Sequence, residues 1–232
     1  MSDQRLRELE RRFRATGAAE DEARWLGERL RRGGLVAERL ELAAYLGHPG
    51  AVLACREEGL APPTQVDVSL AHLPPEERRY WERVTRQAEL DPGAALGQGL
   101  AQVRQPRWCM GLARFGREVC LRALTAGAEV VRDRTVRVFD LSAHLDVAAA
   151  AARSDPQALD RAARLPYPLR PDSWVMPWER LAHQIREVVL AVDADAPLRL
   201  CAALSEVLRG PGDEAAFQAA ARRELVPWAL GT

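Results

Sequence analysis

The chain has 232 residues, of which 47% are hydrophobic and 28% charged, and this composition is typical of a globular protein rather than a disordered one. Its 33 basic residues are all arginine and are matched by 33 acidic residues, so the formal net charge is zero. Because lysine is absent, mechanisms that need a lysine amine are excluded, and the zero net charge argues against a protein that binds nucleic acid by neutralising phosphates.

The N-terminal region predicts four short helices separated by glycines. Apolar residues recur there every three or four positions, which is the period of an amphipathic helix. Gly17, Gly33 and Gly47 end the first three helices, since glycine tolerates the left-handed backbone common at such ends. Pro49 begins the fourth helix, which ends at Gly59. Four short helices with short turns predict two stacked helical hairpins of α-solenoid type.

The turn between the third and fourth helices carries a family resemblance. The segment Leu-Gly-His-Pro-Gly-Ala-Val-Leu-Ala at 46–54 resembles the Leu-Gly-x-Pro-x-Ala-Val core of HEAT-like repeats of the phycocyanobilin-lyase type. The resemblance implies a helical hairpin over residues 38–58, with the Gly-x-Pro making its turn, and implies no lyase chemistry. Residues 5–54 as a whole are similar to the N-terminal segment of uncharacterised proteins from GC-rich bacteria such as myxobacteria, and this likeness implies no activity.

Two proline-rich stretches divide the rest of the chain. Residues 61–75 predict a linker or long loop, and residues 166–176 predict an extended break, because a residue that precedes proline disfavours helix. The predicted organisation is therefore a helical-repeat module at 1–60, a helical core at 76–165 and C-terminal helices at 177–232. The predicted fold class is all-α, with N-terminal helical hairpins of α-solenoid type followed by an irregular helical bundle.

The centre of the chain has the least clear secondary-structure pattern. One long helix is predicted from about Arg107 to Val131, because this stretch is apolar on two sides, as central helices usually are. Residues 135–139 alternate like a strand, whereas the apolar residues from Val138 to Ala152 fit a helix, and the helical interpretation explains more of them. Three further helices are predicted at about 177–192, 197–209 and 213–228.

Two groups of polar residues are candidates for a small catalytic or ligand-binding site. Glu179, His183 and Glu187 are spaced four apart, so a helix stacks them on one face where a metal ion would find three ligands. That face lies opposite the apolar stripe, so the pattern favours a solvated charged face over a metal site. Asp140 and His144 are one helical turn apart, and they form either a local hydrogen-bonded pair or part of an active site.

Aromatic residues mark a candidate partner-binding segment. Tyr167, Trp174, Met176 and Trp178 flank the second proline-rich stretch, and tryptophans beside stiff extended chain often anchor protein interfaces. The interpretation that the pattern favours, however, is that this segment folds back and fills a gap between helices of its own chain.

The cysteines and the N-terminus indicate a reduced, cytoplasmic protein. The N-terminal residues are charged and lack the apolar segment of a signal peptide, and the longest apolar run, residues 147–152, is far too short to cross a bilayer. The cysteines are scattered without paired spacing, which favours buried free thiols over disulfides or zinc ligands. They are Cys55, Cys109, Cys120 and Cys201.

The preferred functional prediction is a non-catalytic cytosolic interaction protein, a scaffold or adaptor that binds another protein or a second copy of itself, with no cofactor or metal. The alternative is a small all-helical enzyme or ligand-binding protein that uses the histidines and carboxylates named above. A weaker alternative is nucleic-acid binding through the arginines of residues 98–134.

Overall fold

The computed structural model describes residues 2–60, 107–135, 141–165, 177–190, 195–208 and 211–232. These residues form helices joined by turns, and no strand occurs among them, so the predicted all-α class is confirmed. The chain divides into two compact units. The first unit combines Met1–Gln65 with Arg222–Thr232, and the second unit is Val66–Ala221.

The first unit contains the four predicted short helices. They are α1 (Ser2–Thr16), α2 (Ala19–Arg31), α3 (Ala37–Tyr45) and α4 (Pro49–Glu57). Helix α1 packs on α2, α3 packs on α4, and α2 packs on α4, so consecutive helices form pairs and the pairs contact each other. The turn before α4 needs a glycine, because Gly47 has φ +83°, and Pro49 is the first residue of α4, where its missing N–H has no cost.

The second unit is a set of helices around an apolar core. Its described helices are α5 (Arg107–Leu112), α6 (Arg117–Ala126), α7 (Ala128–Thr135), α8 (Ser142–Ala152), α9 (Ala158–Arg164), α10 (Pro177–Leu190) and α11 (Ala196–Val207), followed by α12 (Pro211–Leu230), which ends in the first unit. Helix α10 packs closely on α11, α8 packs on both α6 and α10, and α5 packs on α11.

The predicted long helix from Arg107 to Val131 is wrong, because two glycines interrupt it. A 3₁₀ turn at Ala113–Phe115 leads to Gly116, whose φ of +86° belongs to a backbone region that side chains disfavour. Gly127 separates α6 from α7. The apolar pattern continues through both breaks, since all three pieces bury apolar residues in one core, and the periodicity alone therefore suggested a single helix.

The other predicted helices that the structure describes are confirmed with small changes at their ends, while residues 76–106 of the predicted helical core lie outside the described residues. The helical interpretation holds for 142–152, while residues 136–140 lie outside the described part of the chain. The three C-terminal helices correspond to α10, α11 and α12. The predicted linker at 61–75 and the break at 166–176 also lie outside the described residues, and the last eleven residues, 222–232, belong to the first unit. Among the helices described here, none is long and apolar enough to span a bilayer.

Candidate functional site

Helices α1 and α2 are joined by two ion pairs whose residues have the same spacing on each helix, and we call this the α1–α2 register. Arg12 Nε lies 2.9 Å from Asp21 Oδ1, and Arg5 Nε lies 3.7 Å from Glu28 Oε2. The arginines are seven residues apart on α1, and their carboxylates are seven apart on α2 in the opposite order, so the two helices run antiparallel. Phe13 and Trp25 stack between them, with ring centroids 5.7 Å apart.

The two carboxylates of this register are almost buried and are held ionised. Asp21 is 5% exposed and Glu28 is 7% exposed. Burial by itself would raise the pKa of Asp21, but the Thr16 hydroxyl, which donates to it over 2.9 Å, and the Arg12 guanidinium outweigh burial and lower that pKa. Hydrogen bonds from Arg31 and Arg32 lower the pKa of Glu28. The inner side of α1 is therefore fully used in packing on α2.

The opposite side of α1 carries what we call the arginine face. Since a helix turns by about 100° per residue, this group lies roughly opposite Arg5 and Leu9. Arg7, Arg11 and Arg14 are exposed, and Arg14 Nη2 donates to Glu10 Oε1 over 2.6 Å while 75% of the Arg14 side chain stays exposed. The arginine face consists of Gln4, Arg7, Glu10, Arg11 and Arg14.

Two guanidiniums of this face lack a carboxylate partner within the described part of the chain. Arg11 Nε donates to the backbone carbonyl of Arg7 over 3.3 Å, and neither Arg7 nor Arg11 is ion-paired there. Like charges one helical turn apart repel each other by a few tenths of a kcal/mol, roughly 0.2–0.5. The arrangement thus favours an anion brought from outside the unit.

The turn between α3 and α4 holds a carboxylate–imidazole pair that the sequence did not predict. His48 Nδ1 accepts a hydrogen bond from the backbone N–H of Ala51 over 3.3 Å and so caps α4. Its Nε2 lies 3.7 Å from Glu22 Oε1 on α2, and burial raises the pKa of Glu22 while the neighbouring His48 imidazole opposes that rise. The two residues are far apart in sequence, and no local motif links them; only the packing of α2 on α4 brings them together.

The predicted polar site is only partly brought together. Glu179, His183 and Glu187 share one side of α10, but they are half-buried rather than fully solvated. Burial lowers the pKa of His183, the Glu187 carboxylate opposes this, and the Arg199 guanidinium on α11 adds to it. Over the residues the structure describes, no three His, Cys, Asp or Glu side chains are grouped so that they could hold a metal ion.

The remaining predicted site residues either lie elsewhere among the described helices or fall outside the described part of the chain. His144 is 2% exposed within α8 and belongs to the core of the second unit, while Asp140 lies outside the described residues. Of the predicted partner-binding group, Trp178 is half-buried in the first turn of α10. Tyr167, Trp174 and Met176 lie outside the described part of the chain.

All four cysteines are buried free thiols, as predicted. In the second unit, Cys120 and Cys201 lie with their Sγ atoms 3.7 Å apart. The hydrogen bond with Cys120 and burial together raise the pKa of Cys201 well above its ordinary value, and burial does the same for Cys109. Since the thiolate is the reactive form, the raised pKa values make Cys109 and Cys201 unreactive in the folded protein.

The arginines of residues 98–134, the predicted alternative nucleic-acid surface, are partly neutralised. Arg122 pairs with Glu118 at 3.0 Å on α6, and Arg132 pairs with Glu129 at 2.6 Å on α7. The arginine face of α1 carries two guanidiniums that have no carboxylate partner among the described residues, and it is the candidate functional surface. Comparison with protein-family models, curated proteins and solved structures found no match to this chain.

Proposed function

We propose that this protein is a non-catalytic cytosolic adaptor that binds another protein through the helical hairpins of its first unit. The observation that carries the proposal is the difference between the two sides of α1. One side packs on α2 through ion pairs and ring stacking, and the other side presents three exposed arginines. Arginine is among the residues enriched at protein interfaces, where its planar guanidinium binds carboxylates through two hydrogen bonds.

We further infer that α3 and α4 form a HEAT-like repeat and that the first unit is of α-solenoid type. Three details of the turn support this inference: the positive φ of Gly47, the cap supplied by His48 and the position of Pro49 as the first residue of α4. Stacked helical hairpins commonly serve as extended binding surfaces for other proteins.

The proposal is tested by recovering the tagged full-length chain from its source cells and weighing it by native mass spectrometry. We expect a complex of defined stoichiometry with a second protein or a second copy of this chain. Recovery of the bare monomer would contradict the proposal. A monomer that carries a small molecule of constant mass would replace it with a ligand-binding or enzymatic function.

One observation favours that second function. His183 is half-buried one helical turn from Glu187, whose carboxylate accepts a hydrogen bond from Arg186, and burial lowers the pKa of His183. An imidazole beside charged groups is a common element of ligand-binding and catalytic sites. If this side of α10 binds a ligand, the His183→Gln variant should lose the retained small molecule while keeping the helical content of the parent protein, as measured by circular dichroism.

A further inference from the structure

We propose that the arginine face of α1 binds an acidic helical segment of the partner protein, one whose carboxylates are spaced one helical turn apart. The inference rests on the proposed function and specifies the chemistry of the partner. The three guanidiniums belong to positions 7, 11 and 14, so they follow a helix at intervals of four and three residues. Glutamates or aspartates at the same intervals on a partner helix match this spacing.

The free first unit leaves the charge of this face uncompensated. Arg7 and Arg11 have no carboxylate partner within the described residues, and Arg14 shares only the one carboxylate of Glu10. By contrast, the arginines on the inner side of α1 each face a carboxylate of α2. On α1, the arginines that face α2 are thus paired within the fold, whereas Arg7 and Arg11 on the opposite side have no carboxylate partner among the described residues, as expected of a surface completed by a partner.

The face is better suited to a protein segment than to a nucleic acid. Glu10 lies among the arginines and Glu8 is exposed beside them, so a uniformly anionic phosphate backbone would meet repulsion. A peptide can place a neutral or basic residue opposite Glu10 and carboxylates opposite the arginines. The span from Arg7 to Arg14 is about 10 Å along the helix axis, which is short compared with the basic stripes that follow nucleic acid.

The test is a fluorescence-anisotropy titration of the full chain with a labelled helical peptide that carries glutamates at i, i+4 and i+7. The matched probe is the same peptide with glutamine at those positions. We expect the glutamate peptide to bind at least about tenfold more tightly than the glutamine peptide, and the advantage to shrink at high salt. Equal binding of the two peptides would overturn the inference.

Variants locate the binding surface. Arg7→Glu with Arg11→Glu should weaken binding of the glutamate peptide by about tenfold or more, and Arg7→Gln with Arg11→Gln should weaken it less. The control, Arg164→Glu with Arg223→Glu, changes the net charge equally at two exposed arginines of α9 and α12 and should leave binding within about twofold. An equal loss of binding in the control would show that only net charge matters, and it would overturn the assignment of binding to α1. Tighter binding of a 20-nucleotide strand than of the glutamate peptide would also overturn the inference.

The same variants separate the inference from the proposed function. If the complex recovered from source cells persists with Arg7→Glu and Arg11→Glu, the protein is an adaptor that binds its partner through another surface. In that case the inference about the arginine face is wrong and the proposed function stands. If the unaltered chain recovers no protein partner, the proposed function fails as well. Loss of the complex only in the α1 variant supports both.

Discussion

The ring of Phe217 packs against two other helical segments in the core of the second unit. It is 0% exposed and lies edge-on to Trp108, with ring centroids 6.3 Å apart at 83°. The ring also occupies the space that a Cβ atom at Gly127 would need, so the residue between α6 and α7 must lack a side chain. Here a glycine is required for close packing rather than for an unusual backbone angle, since its φ is −89°.

Gly127→Ala should therefore lower the free energy of unfolding by about 1–3 kcal/mol, the usual cost of inserting a methyl group into a packed core. The measurement is urea denaturation followed by circular dichroism. Gly212→Ala is the matched control, because it lies in α12 with no atom near its missing Cβ and should be neutral or stabilising by up to about 1 kcal/mol. Equal stability of Gly127→Ala and the parent protein would contradict the packing described.

Cys55 is the residue whose chemistry depends most clearly on folding in the first unit. Burial, aided by the Glu41 carboxylate, raises the pKa of Cys55 to about 11. At pH 8 such a thiol is ionised to about 0.1%, compared with about a quarter for an ordinary cysteine. We expect iodoacetamide to label Cys55 at least about a hundredfold more slowly in the native than in the denatured protein, as read from the mass of its tryptic peptide. Comparable rates in the two states would show that the thiol is accessible.

At the scale of elements, the pairing of α1 with α2 makes the first unit sensitive to acid. The pKa of Asp21 in the folded protein lies below its ordinary value, because Thr16 and Arg12 stabilise the carboxylate more than burial opposes it. A lowered folded-state pKa means that the stabilisation is present above the unfolded pKa of about 4 and is lost as the pH falls through the folded value. Acid should thus loosen this pairing selectively.

Asp21→Asn should lower the melting temperature at pH 7 and should differ less from the parent protein as the pH approaches about 2. Glu20→Gln is the control, since this neighbouring carboxylate is exposed and has no ion pair with a described residue. Melting curves followed by circular dichroism at pH 7, 4 and 2 give the comparison. A difference that stays constant across this range would show that Asp21 stabilises the fold by packing and not by its charge.

The elements also show which parts of the structure a sequence can predict. Helices α1 to α4 were predicted because apolar period, terminal glycines and Pro49 all agree locally. The breaks at Gly116 and Gly127 were missed, since a glycine inside an apolar pattern is compatible with a continuous helix. Gly127 is required by Phe217, which lies ninety positions later. The Glu22–His48 pair was missed for the same reason, because it depends on tertiary packing alone.

At the scale of the whole molecule, the first unit is completed by residues from a distant part of the chain. Arg29 Nη1 donates to the carbonyl of Leu230 over 2.6 Å, and the Arg39 guanidinium lies 4.4 Å from the centroid of the Trp228 ring. Leu225 is 0% exposed in the same segment. The end of α12 thus contributes contacts that support α2 and α3.

Leu225→Ala should cost about 2–5 kcal/mol, as do other deletions of buried leucine side chains. The location of the effect identifies its cause. Amide hydrogen exchange should accelerate in α2 and α3 as well as in α12. Leu200→Ala is the counterpart in the second unit, where a leucine that is 1% exposed should instead loosen α11 and its neighbour α10. Acceleration confined to α12 in the Leu225 variant would mean that the segment covers the first unit without supporting it.

The joining of residues 1–65 to 222–232 also sets an order of events during biosynthesis. A ribosome adds roughly 5–20 residues per second, so α1 to α4 emerge on the order of ten seconds before their closing segment is translated. Throughout that interval the nascent first unit lacks Leu225, Trp228 and Leu230, and the apolar surface they cover is open to chaperones. A transcript truncated before codon 222 would leave that surface permanently uncovered, which marks the product for proteolysis.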